Sequence, residues 1–174
     1  MHPQNGDSGL RQAEVIMALS LATDLGTGMA MESVLRSCLL SVHLGDALGL
    51  GEEDLSDIYY VSLLCMIGCT AESHQTADIF GDELALNDTF WGVDFGKPSQ
   101  AMGWLLRSVG VGKPPLQRFG LLAGVQKTMK EGRRGHCDVA QHLAERMGFS
   151  SRVQAALWHI YERWDGRGMP YGQR

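Results

Sequence analysis

The chain has 174 residues, 44% hydrophobic and 7% aromatic, with 15 Lys and Arg against 20 Asp and Glu for a formal net charge of −5. That length suits one domain with a substantial core and is too short for two, and the acidic balance excludes a general nucleic-acid-binding surface, which needs clustered cations to displace counterions. No apolar run reaches the roughly 18 residues that cross a bilayer, and the opening MHPQNGDSGLRQ is too polar for a secretory leader, so the expectation is a cytoplasmic protein without membrane contact.

Residues 1–8 read as a polar lead-in, and residues 9–174 as a single domain. Ala13, Ile16 and Leu19 predict a first helix stopped at Gly26-Thr27-Gly28. A second spans residues 29–48, with Met31, Leu35, Cys38, Leu39, Val42 and Leu48 on its inner side. A third follows Gly51, opening on Glu52, Glu53 and Asp54, whose charges suit a helix N-terminus. Its stripe is Leu55, Ile58, Tyr59, Leu63, Met66 and Ile67.

Further helices are predicted over residues 76–86, 100–109, 116–129, 136–147 and 152–164. The polar residues 130–135 separate two of them, and Ser150 or Ser151 caps the last. Sustained alternation is absent, so the fold class is all-α: a compact multi-helix bundle. Of the 22 glycines, Gly26, Gly28, Gly49, Gly51, Gly110, Gly112, Gly135 and Gly148 fall at predicted helix boundaries. The loop NDTFWGVDFGKPS places Phe90, Trp91 and Phe95 either to pin itself down or to meet a ligand.

The segment GVGKPP lacks the upstream Gly and the Ser or Thr of a phosphate loop. Cys38, Cys65, Cys69 and Cys137 sit in apolar patterns and read as free thiols of a reducing compartment. Cys65 and Cys69 would share one helical face, and with His74 and His136 they supply zinc-type donors, although the tight spacing of a structural zinc knuckle is missing.

The most specific stretch is YERWDGRGMP, residues 161–170. It resembles the HHExxDGxGYP signature of the HD-GYP family of HD-domain phosphohydrolases, with Glu162, Asp165, Gly166, Gly168 and Pro170 matching and Met169 in place of Tyr. SVLRSCLLSVHLGDALGL is similar to the family's HxxR helix, with Arg36 kept and Ser33 replacing His. LLCMIGC resembles LLHDIGK, with Cys65 and Met66 at the His-Asp pair and Cys69 at the Lys, while Ile67 and Gly68 are retained. HCDVAQHLAERMG resembles the helix opened by a further ligand His, here His136.

The resemblance implies an HD-domain-like helical fold whose members hold iron or manganese and hydrolyse a cyclic dinucleotide, usually cyclic di-GMP. It places Ser33, Cys65, Met66, His136, Ile160 and Tyr161 at the ligand positions, and only His136 is of the ligand type. His159 lies one residue early, a turn of about 100° on a helix. The resemblance thus implies a degenerate sensory or regulatory module without catalysis or cofactor, like HD-like regions preceding LuxR-type helix-turn-helix domains, in a chain cut short at its C-terminus. Arg36, Glu162, Arg163 and Asp165 are its candidate residues for a cyclic dinucleotide or other small ligand. The alternative is a metal-dependent phosphodiesterase holding iron, manganese or zinc through Cys65, Cys69, Glu72, His74 and His136. Residues 75–130 exceed the family spacing and read as an inserted helical segment, whose apolar face could support a homodimer.

Overall fold

The computed structural model of the protein describes residues 11–71, 73–81, 89–90, 92–169 and 171–173, giving the backbone alone for residues 70, 71, 73, 74 and 75. The first apolar stripe forms helix α1, Gln12–Gly26, which buries Ile16, Ser20, Thr23 and Asp24. Ser20 Oγ donates to the Leu63 carbonyl at 2.8 Å, tying α1 to the end of the third helix.

Helix α2, Ser33–Ala47, begins later than the pattern predicts, after Glu32 turns the chain with φ +66°. It also presents a different face. Val34, Cys38 and Gly45 are buried, whereas Met31, Leu39 and Leu48, expected inside, are exposed. The reason is close approach to α3, Glu52–Leu64: a Cβ on Gly45 would come within 2.9 Å of Leu55 Cδ2 and 3.1 Å of Ile58 Cδ1. The face with the smallest residue packs inward, and the leucine face is left outside.

Helix α3 ends at Leu64, and a 3₁₀ turn spans Ile67–Ala71. Cys65 and Cys69 therefore do not share a helical face, because Cys65 is the C-cap and Cys69 belongs to the turn. Helix α4, Ser73–Phe80, buries Ile79 and Phe80; the rest of the helix expected over residues 76–86 lies largely outside the described residues.

Helix α5, Pro98–Ser108, carries Trp104, on which the loop aromatics gather. Phe90, Phe95 and Phe80 stand with ring centroids 5.7, 5.5 and 5.4 Å from it, so Phe90 and Phe95 pin their loop to the core; Trp91 is outside the described residues.

The largest departure is helix α6, Pro115–Arg146, one continuous helix of 32 residues where a break at residues 130–135 was expected. That run is KEGRRG; Lys, Glu and Arg are good helix formers, and the two glycines cost about 1 kcal/mol each. Packing at both ends of the run offsets this, since Val125 on one side and His136, Cys137 and Ala140 on the other are buried, as is Gly132 within it. Gly135 is consequently interior to a helix and not at a boundary.

Helix α7, Ser151–Trp158, is capped by Ser150, whose Oγ accepts from Val153 N–H at 3.3 Å. It stops at Trp158 and not at Trp164, so Ile160 and Tyr161 lie in the turn beyond it.

Two cores result. Ile16, Val34, Cys38, Leu63, Leu64, Ala140, Ala144, Val153 and Leu157 form the first; Ile79, Phe80, Trp104, Val109 and Val125 form the second. Helix α6 walls both. The fold is all-α, with no strand among the described residues, and no described helix is long and apolar enough to cross a membrane.

Candidate functional site

Three separated segments meet at His136, which is fully buried on α6. Its Nε2 lies 2.6 Å from the Cys65 carbonyl oxygen and its Nδ1 3.2 Å from the Tyr161 hydroxyl. A carbonyl only accepts, so the proton sits on Nε2 and Nδ1 accepts from Tyr161. The two rings stand edge to face with centroids 5.0 Å apart. Gly68, in the 3₁₀ turn, presses against this residue: a Cβ there would overlap the His136 carbonyl oxygen and approach its Cγ to 2.7 Å.

Arg133 lies one turn earlier on α6, with its guanidinium 5.4 Å from the Tyr161 ring centroid and Nη1 3.4 Å from Met169 Sδ. Tyr161 and Met169, two departures from the family signature, are thus the groups that engage His136 and Arg133. Arg133 escaped the sequence reading; its spacing of three from His136 on a helical face was the available signal. Asp24 escaped too. It is buried on α1, its Oδ2 is 3.5 Å from Val34 N–H, and Oδ1 has no hydrogen-bond partner among the described residues.

Of the other positions that the resemblance assigns to ligands, Met66 and Ile160 pack against the first core, and Ser33 opens α2. Cys65 Sγ donates to the Ser62 carbonyl at 3.1 Å, and burial, with a smaller contribution from Cys38, pushes its thiol up to about 11. These groups do not fit iron or manganese, which take charged oxygen and open imidazole nitrogen. The thioether, the alkyl chain and the protonated thiol offer neither, and His136 spends both nitrogens within the protein. Among the described residues no group of three His, Cys, Asp or Glu is placed to hold a metal ion; Glu72 and the side chain of His74 lie outside them.

The candidate ligand-binding residues are distributed between two places. Arg36 pairs with Glu32 at 3.3 Å on α2. Glu162 spans the far side of the turn, Oε1 accepting from Tyr171 N–H at 2.7 Å and Oε2 from Gln173 N–H at 3.0 Å. Arg163 forks onto Asp165 through Nε at 3.1 Å and Nη2 at 2.9 Å, while Asp165 Oδ1 also accepts from Arg167 N–H. Gly168 closes the turn, since a Cβ would overlap Arg163 N and approach Glu162 C to 2.6 Å.

The Arg163 guanidinium, aided by the Arg167 amide, holds the Asp165 carboxyl down to about 2 against an ordinary 3.8. A depressed carboxyl pKa stabilises the fold above the unfolded value and the contribution is lost as pH falls through the folded one. The turn therefore loosens between about pH 4 and pH 2. Fluorescence of Trp164, which is 90% exposed beside this pair, should titrate in that window, and the titration should move toward pH 4 in Arg163→Gln.

No family model matches the chain. It is 23% identical over 163 residues to 3'3'-cGAMP-specific phosphodiesterase 3 of Vibrio cholerae, covering 91% of this chain and 35% of the relative. The crystal structure of the cyclic GMP-AMP specific phosphodiesterase of V. cholerae superposes with a TM-score of 0.58 at 20% identity, over 93% of this chain and 35% of that one. The chain spans about a third of the length of these relatives. Its helices therefore share the all-α fold of the matching third of that phosphodiesterase.

Proposed function

We propose that this chain is a degenerate HD-GYP-like domain, with residues 75–130 as its insertion, that serves as a sensory or regulatory module and does not hydrolyse its ligand. One observation carries the reading: His136, the ligand-type residue kept in place, has Nε2 bonded to Cys65 and Nδ1 to Tyr161, both themselves at family ligand positions. Three of the positions that the resemblance assigns to ligands, Cys65, His136 and Tyr161, are joined by hydrogen bonds within the protein, which fixes their geometry without a cofactor. Likeness to a phosphodiesterase named for 3'3'-cGAMP supports a cyclic dinucleotide as the ligand class, within a bacterial signalling or transcription regulator of the cytoplasm. The same likeness is what favours the second reading, a metal-dependent phosphodiesterase with unusual ligands.

Metal analysis and a turnover assay separate the two. After expression with added iron, manganese and zinc, the purified chain should hold substoichiometric metal and leave 3'3'-cGAMP and cyclic di-GMP intact, while one of them raises its melting temperature. Stoichiometric metal together with hydrolysis of either dinucleotide overturns the regulatory reading.

A further inference from the structure

Charge and apolar surface are segregated along this chain. Residues 98–130 contain five Lys and Arg and no Asp or Glu, in a molecule of net charge −5. This segment also exposes large apolar side chains where α5 turns into α6: Leu116 is 85% and Phe119 72% exposed, and Leu106 and Val111 are exposed beside them. Arg118 donates to the Leu106 and Val109 carbonyls, which fixes the end of α5 to the start of α6. Arg107 and Lys113 are interspersed among the apolar group in sequence.

A complementary surface lies at the first core. Helices α2, α3 and α7 enclose an open groove of about 490 Å³ lined by Leu44, Leu48, Leu50, Ile58, Val61 and Ala156. Leu44 and Leu48 are 60% and 71% exposed. The rim is acidic. Glu53, Asp54 and Asp57 share one guanidinium, that of Arg152, which pairs with Glu53 at 3.4 Å, with Asp57 at 2.9 Å and with Asp54.

The two surfaces cannot meet within one molecule. Helix α6 has 32 residues and is about 48 Å long. Leu116 stands at its start, while α7, only eight residues, folds back on its far end after Met147. We propose that copies of this chain associate head to tail, the Leu116–Phe119 end of one entering the α2–α3–α7 groove of the next, with Arg107 and Lys113 set against the acidic rim. Such an interface is heterologous: every inner copy uses both surfaces, and the assembly keeps one unused surface of each kind, one at either end. Opposite charge fixes the orientation, and a two-fold pairing of the basic ends would instead bring like charges together.

Paired surface variants test this. Sedimentation velocity of the full 174-residue chain should show species growing with concentration and shrinking with added salt. Leu116→Asp with Phe119→Asp, and separately Leu44→Asp with Leu48→Asp, should each leave a monomer with unchanged helical circular dichroism. Mixing the two variants should restore a one-to-one dimer that grows no further, because each supplies the surface the other lacks. A wild-type chain that stays monomeric at every concentration overturns the proposal, as does a dimer abolished by one variant pair and untouched by the other. The first outcome leaves the groove to a small apolar ligand, the second to a two-fold interface.

Discussion

Gly68→Ala should lower stability by about 3 kcal/mol, the upper end of ordinary overpacking, because the added methyl meets main chain and not the tip of a movable side chain. At about 2–4 °C per kcal/mol for a chain of this size, the melting temperature falls by about 10 °C. The same change at Gly135, in the interior of α6 with nothing within 4 Å of the new methyl, should instead raise stability by about 0.5–1 kcal/mol, since alanine holds a helix better than glycine. Thermal unfolding of the two variants beside the parent reads both effects. Equal melting temperatures for the two would contradict the close packing of the 3₁₀ turn on α6.

His136→Ala should cost about 3 kcal/mol, because it removes a buried ring and with it the donor to the Cys65 carbonyl and the acceptor of the Tyr161 hydroxyl. Tyr161→Phe, which keeps the ring and deletes only the hydroxyl, should cost about 1 kcal/mol. Both losses should be the same in chelator and in excess manganese when followed by urea unfolding. A parent protein that gains stability from manganese, with the gain abolished in His136→Ala, would instead make His136 a metal ligand.

The helical class was legible because apolar residues recur at three and four along most of the chain, and α1, α3 and α5 form close to the residues so predicted, although α1 buries Ser20, Thr23 and Asp24 and leaves Leu19 exposed. The inner face of α2 was not, because counting apolar residues favours leucine, whereas close approach to α3 favours Gly45. The break expected at residues 130–135 came from reading glycine and charge as loop, and tertiary contacts on either side overrode that local preference. Within the site, His136, Gly68 and Gly168 were visible through the motif order. Their partners were not: Tyr161 and Met169 register in the sequence only as losses from a signature, and their contacts with His136 and Arg133 exist only once the turn after α7 is folded back.

Helix α6 makes the two cores mechanically one. Val125 faces the second core and Ala140 and Ala144 the first, on a rod with no described interruption between them. Neither core can melt without exposing a wall of the other, and a push on Leu116 or Phe119 at one end is delivered to His136 without an intervening joint. An event at the outer tip of the protein is thereby felt where His136 meets Cys65 and Tyr161.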